Sequence, residues 1–237
     1  MTGNCSQSVS PTWNLTGEPR GGAIVYRIAL WYPDRVTHVF AICTPYTPPS
    51  KDYVPMETIV KSGRLPNFGY QLHLASGEVE ERIKSREQIK MFLNCLFGGI
   101  GTNGERGFYV QEGLRFDELP ILKPTKLIDE ATLEYYADRY KTHGMHGTLN
   151  WYRNREQNYK DELDLDKKTI DIPVLYIQAT RDQALPPAMS EGMEKYIPNL
   201  TRKSVEASHW ALWEAPQQVN DLIEEWLKKV NASQAML

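Results

Sequence analysis

The octapeptide Ile-Pro-Val-Leu-Tyr-Ile-Gln-Ala at residues 172–179 restricts the fold of this chain more than any other stretch. A short, nearly unbroken apolar run rich in β-branched residues reads as a strand covered on both faces, which is the usual state of a strand in a parallel sheet. Residues 36–43 read the same way through Val36, Val39, Phe40, Ala41 and Ile42. A helix precedes them at 22–32, where Ile24, Val25, Ile28 and Ala29 form an apolar stripe and Pro33 ends the pattern. Helical sequence around 188–196 leads to a third short strand near 203–206. A last amphipathic helix at 216–230 buries Val219, Leu222, Ile223, Trp226 and Leu227. Helix and strand in alternation predict an α/β architecture with a parallel sheet.

Between the first two strands the pattern changes. Pro45, Pro48, Pro49 and Pro55 break any regular element, and a mostly helical stretch follows. Val79, Ile83, Ile89, Phe92, Leu93 and Leu96 place one apolar face along a helix from 76 to 98. A second helix runs from the N-cap candidate Asp129 to the stop at Gly144, and a third spans 148–159. The expected division is a divergent segment at 1–16, an α/β core at 17–45 and 166–237, and a helical insertion at 46–165 that would lie over the sheet as a lid.

Composition narrows the function. The 237 residues are 41% hydrophobic and 24% charged, with a formal net charge of -3, so no basic field invites nucleic acid or an anionic membrane surface. A neutral small molecule is the easier partner. Residues 1–15 lack the features of a secretory signal, and no apolar run approaches the roughly 18 residues of a membrane span. Asn14 and Asn199 begin glycosylation sequons, which carry no weight without a signal. Cys5, Cys43 and Cys95 are odd in number and widely spaced, without metal-ligand spacing. They read as reduced thiols of a cytoplasmic protein, Cys43 and Cys95 as core filling, and neither a metal nor a cofactor is expected.

The chemistry centres on Asp182 and His209, each just beyond the carboxyl end of a predicted strand, where the loops of an open parallel sheet converge. An acid and then a histidine in that order are the last two members of an α/β-hydrolase triad, whose nucleophile comes earlier in the chain. The carboxylate would orient the imidazole, leaving its other nitrogen to activate water.

The sequence resembles the soluble epoxide hydrolases of the α/β-hydrolase superfamily, most of all their fungal branch. Residues 21–33 are similar to the helix after the family's nucleophile, and Cys43-Thr44-Pro45 to the exit from its next strand. Phe68-Gly69-Tyr70-Gln71-Leu72 and Leu149-Asn150-Trp151-Tyr152-Arg153 resemble the two cap segments that each deliver a tyrosine. Asp182 and Ser208-His209-Trp210 match the acid and base. The resemblance implies catalytic roles for Tyr70 and Tyr152, whose phenols would hold the oxygen of a small apolar epoxide as the ring opens. With 13 tyrosines in the chain, most must be packing residues.

At the nucleophile the sequence departs from the family. Aligning Gly21 and Gly22 with the glycines that close the family's Gly-His-Asp-Trp-Gly-Gly puts Glu18 at the histidine, Pro19 at the aspartate and Arg20 at the tryptophan. Proline has no carboxylate, and its φ near roughly -65° puts the strained turn of a nucleophile elbow at risk. Glu18 is one position out of register. Residues 1–16 show no strand-like run, so the chain reads as truncated at its N-terminus, with only the C-terminal part of the sheet. The strand at 36–43 would then lack a neighbour, and its bare edge predicts self-association or a covering partner. Three readings follow: a lineage whose full protein converts an epoxide to a diol through an aspartyl ester; a non-catalytic remnant that binds a ligand or a protein; and direct hydrolysis by water activated at His209. Gly99-Ile-Gly-Thr-Asn-Gly104 fits the dinucleotide fingerprint but follows a helical run in the insertion, and reads as a loop.

Overall fold

The structure is a computed structural model that describes residues 13–17 and 19–234, with side chains from 21 to 232. In chain order a strand β1 (Trp13–Gly17) leads to a helix α1 (Pro19–Trp31) and a strand β2 (Val36–Ile42). Seven helices follow: α2 (Met56–Lys61), α3 (Gly69–Ala75), α4 (Glu78–Arg82), α5 (Arg86–Leu96), α6 (Glu130–His143), α7 (His146–Arg153) and α8 (Arg155–Asp161). A small hairpin of β3 (Phe108–Tyr109) and β4 (Gly113–Leu114) lies between α5 and α6. Strands β5 (Val174–Ala179) and β6 (Leu200–Val205), the short α9 (Ala211–Glu214) and the long α10 (Pro216–Gln234) complete the chain.

These elements form two compact units. One holds the chain up to Pro49, Leu165–Ala211 and the segment from Ala215 onward; the other holds Ser50–Asp164 with Leu212–Glu214. In the first unit the sheet order is β1-β2-β5-β6, every pair parallel. Strands β2, β5 and β6 are the parallel strands of an α/β-hydrolase sheet expected from the sequence, and β1 adds a fourth. Val174, Leu175, Tyr176 and Ile177 are fully buried, because β5 has a strand on either side and apolar cover on both faces. Alternate residues of β2 face opposite ways. Val39 and Ala41 join the core cluster containing Val25, Tyr26 and Ala29 of α1, while the rings of His38 and Phe40 meet Trp226 of α10.

Several expectations need correction. Residues 13–17 do form a strand, and β1 pairs with β2 from Trp13↔Val36 to Gly17↔Ala41. The edge of β2 that was expected to be bare is therefore occupied, and the case for self-association through it falls. The sequence Trp-Asn-Leu-Thr-Gly gives little strand signal by itself, and backbone pairing with β2 supplies what its propensity lacks. Pro19 also proves compatible with the turn that follows: it is the first residue of α1, where a missing N–H costs nothing and a fixed φ is already helical. Glu18 and residues 1–12, including Cys5, lie outside the described residues, as do the side chains of Asn14, Pro19 and Arg20.

In the second unit the helix expected at 76–98 is two. Ser85 accepts a hydrogen bond from the Gln88 backbone N–H at 3.1 Å, and the Gln88 side chain accepts from Ser85 N–H at 2.9 Å, a capping box that starts α5 afresh. The helix expected at 148–159 is likewise divided, between α7 and α8 at Asn154. Residues 188–196 form two single 3-10 turns interrupted by Gly192, whose φ is +77°. By contrast, Asp129 caps α6 by accepting from Thr132 N–H at 2.7 Å, and Gly144 ends it with φ +73°. Leu74, Val79, Phe92, Leu133 and Leu149 belong to the core of this unit. The Gly99–Gly104 segment is a loop closed by an Ile100↔Arg106 bridge. No helix among the described residues is long and apolar enough to cross a membrane.

Replacing Ser85 by alanine removes one arm of the capping box. It is expected to cost about 1 kcal/mol of stability in urea titrations followed by circular dichroism, whereas no measurable loss would mean that α4 and α5 are divided for another reason.

Candidate active site

In the first unit Asp182 and His209 leave the ends of neighbouring strands. Asp182 follows β5 and His209 follows β6, and the register from Val174↔Leu200 to Ala179↔Val205 brings both departures to one end of the sheet. Arg181 N–H donates to Ala207 O at 3.0 Å, tying the two exits together. The Asp182 side chain is fully buried, with Oδ1 accepting from the backbone N–H of Ala184 at 2.8 Å and of Leu185 at 2.9 Å. Its Oδ2 lies 2.8 Å from His209 Nδ1. A carboxylate only accepts, so Nδ1 carries the proton and Nε2 is left as the acceptor, the tautomer that suits a general base. His209 keeps 28% of its side chain exposed. A buried acid held by three donors thus aims a histidine that solvent still reaches.

Cys43 follows the last residue of β2, at the same end of the sheet. It is the one described non-glycine residue with positive φ, at +63°, and its Sγ donates to His209 O at 3.7 Å. Tyr176 Oη donates to Cys43 O at 3.3 Å and Tyr26 Oη to Thr44 O at 3.2 Å, so two buried phenols hold this strand exit. Burial pushes both phenols above their ordinary range, Tyr176 up to about 12. They are therefore neutral donors throughout the working pH range. Gly22 of α1 lies against Thr44, where a Cβ would approach the threonine side chain to 2.6 Å. The sequence does not show these supports, because nothing in it marks a strand exit as left-handed.

In the second unit Tyr70 lies on α3 and Tyr152 on α7, both half-buried, with ring centroids 5.9 Å apart and planes at 81°. Edge-to-face contact of this kind suits two aromatic quadrupoles. Tyr70 N–H donates to Val110 O at 3.0 Å. Gly69 packs so closely on Gln111 that any side chain there would collide with its carbonyl. Arg153, next to Tyr152, forms a bidentate pair with Glu80 at 2.9 and 2.8 Å, which holds the Glu80 carboxyl below the usual glutamate range. The structure thus brings Asp182 to His209 and Tyr70 to Tyr152.

Comparison with known proteins adds lineage to this geometry. A family model described as the alpha/beta hydrolase fold matches residues 122–216. Over 219 residues, 88% of this chain, the sequence is 37% identical to epoxide hydrolase srdG of Neurospora crassa, covering 64% of that protein. Over most of its length the sequence is thus similar to epoxide hydrolases of the α/β-hydrolase superfamily. A second epoxide hydrolase relative, bifunctional epoxide hydrolase 2 of Mus musculus, is 33% identical over 90% of this chain. Only 38% of that protein is covered, so the chain spans less than two thirds of either relative. Among solved structures, a laboratory-evolved variant of potato epoxide hydrolase superposes with a TM-score of 0.75 at 18% identity, over 94% of this chain and 72% of that one. An epoxide hydrolase from Vigna radiata gives 0.74 at 18% identity, over 93% and 70%. At such identities the likeness speaks for the fold.

Two outcomes follow from the site geometry. Asp182→Ala strands the Ala184 and Leu185 N–H groups and is expected to cost on the order of 1–3 kcal/mol in chemical denaturation. His209→Ala, which leaves those two bonds intact, should cost clearly less. Equal losses would mean that Asp182 is not the structural anchor of its turn. For the second, the depressed Glu80 carboxyl stabilises the fold at pH above the unfolded value near 4.5, and that contribution is lost as pH falls through the lower folded value. The difference in melting temperature between the parent chain and Glu80→Gln should therefore be widest near neutrality and close in acid. A difference independent of pH would refute the pairing.

Proposed function

We propose that this chain is an epoxide hydrolase-type protein, built on the family reaction of epoxide plus water to vicinal diol, in which the covalent step is missing. In that reaction a carboxylate attacks one epoxide carbon and the carbon–oxygen bond opens. A phenol supplies a hydrogen bond and then a proton to the departing oxygen. Water deprotonated by a histidine then hydrolyses the resulting aspartyl ester, releasing the diol and the carboxylate, and the proton taken up by the histidine passes through solvent to restore the phenol. Tyr70 and Tyr152 fit the phenol roles, with residues 46–165 as the family's cap. His209 fits the general base, and Asp182 the group that orients it. The observation that carries the reading is the 2.8 Å contact between the buried Asp182 and His209 at neighbouring strand ends. In this reading Pro19 stands where the family carries its attacking carboxylate, and a proline cannot form the ester.

The substrate class in this reading is a small apolar epoxide, with neither nucleic acid nor membrane as partner. A cytoplasmic setting agrees with the buried thiols of Cys43 and Cys95, which form no disulfide. The alternative is a non-catalytic remnant of the fold that binds a ligand or another protein, and the loss of the aspartate favours it over turnover.

Intact-protein mass spectrometry after incubation with styrene oxide, alongside chromatography for phenylethanediol, tests the proposal. The expected result is no ester adduct and no diol above the buffer rate. An ester adduct on the unmodified chain would contradict the missing step. Diol formation that His209→Ala abolishes would instead establish direct hydrolysis by activated water.

A further inference from the structure

The tyrosine pair depends on two helices keeping their spacing, and one side chain spans the elements that carry it. Arg153, the last residue of α7, donates through Nη1 to Glu80 Oε1 at 2.9 Å and through Nη2 to Glu80 Oε2 at 2.8 Å. Its Nε donates to Ala75 O at 3.0 Å, and Nη1 also reaches Asn150 Oδ1 at 3.0 Å. Ala75 is the last residue of α3, whose second residue is Tyr70, while Glu80 belongs to the single turn of α4. One guanidinium therefore joins the end of the helix bearing Tyr152 to the end of the helix bearing Tyr70 and to the turn beyond it.

We propose that Arg153, held by Glu80, is a positioning residue that sets the separation and angle of the Tyr70 and Tyr152 phenols. The assignment deepens the functional reading above and rests on it for its meaning, since a phenol pair must present both hydroxyls at one oxygen. Three observations carry it. The guanidinium fork is bidentate, which fixes orientation as well as distance in a way a lysine ammonium cannot. Both partners are only 24% exposed, so solvent weakens the pair less than it would a surface ion pair. Adjacent helix residues project about 100° apart, so Arg153 can grip α3 and α4 while Tyr152 faces elsewhere.

Apolar packing of Leu74, Val79 and Leu149 holds the same helices together without any directional contact. Such packing keeps the unit folded but tolerates sliding, whereas the ring contact at 5.9 Å does not. Loss of Arg153 is accordingly expected to loosen the phenols before it unfolds the unit. Glu80 also faces His146, whose Nδ1 lies 2.9 Å from Oε1 on the solvent side. Arg153 and His146 are the charged or titratable groups that act on this carboxyl.

The experiment is nuclear magnetic resonance of the full chain with tyrosine-selective isotope labelling, Tyr152→Leu marking the Tyr70 shifts that arise from the neighbouring ring. In Arg153→Met the Tyr70 ring signals should move most of the way toward their Tyr152→Leu positions, with tryptophan indole signals unchanged. Arg153→Lys should fall between, restoring the charge without the fork. If Arg153→Met does not fold, Glu80→Gln serves as the second variant, and it should shift the same tyrosine signals. Tyrosine signals that superimpose on those of the parent chain in every folded variant would overturn the proposal. Styrene oxide added to the same samples separates the two claims: its failure to perturb Tyr70 or Tyr152 in the parent chain would count against the functional reading alone. Ring shifts caused by Arg153→Met would still establish the positioning role.

Discussion

Strand β5 is the constraint on which the first unit depends. It is buried on both faces and paired along both edges, so its backbone groups are satisfied only while β2 and β6 keep their register. A slip by one residue would exchange Val174 and Tyr176 with Leu175 and Ile177 across the sheet. The same register decides where Asp182 and His209 leave their strands, and hence whether the carboxylate meets the imidazole. Stability and chemistry share one cause here, the alignment of three parallel strands.

Much of this was legible in the sequence, because its signals are local. The unbroken apolar runs marked β2 and β5, since a strand covered on two faces cannot alternate. Asp129 and Gly144 marked the ends of α6, since a cap and a left-handed stop are single-residue requirements. Asp182 and His209 could be read from their positions after predicted strands. The Tyr70–Tyr152 pair emerged only through family resemblance, because nothing in the spacing of 13 tyrosines says which two will meet.

What escaped the reading was decided at longer range or by competing signals. The strand β1 owes its existence to pairing with β2, because asparagine and glycine interrupt its five residues and no apolar run marks it. The apolar stripe from Val79 to Leu96 suggested one helix because hydrophobic spacing continues across the break. The capping box at Ser85 and Gln88, itself readable, overrides that spacing by satisfying the backbone of a new helix start. The turn at Pro19 shows a similar separation of backbone from chemistry. Proline suits the first position of α1, so the strand-then-helix order holds there with a residue that carries no carboxylate.

Whether Asp182 and His209 hold an oriented acid–histidine pair in solution decides how this site is read. Histidine-selective nitrogen–proton correlation spectra test it most directly, because they report which ring nitrogen of His209 carries the proton. A slowly exchanging proton on Nδ1, displaced far downfield by the Asp182 hydrogen bond and lost in Asp182→Ala, is the expected result. A His209 ring with its proton on Nε2 alone, or one whose signals ignore Asp182→Ala, would contradict it.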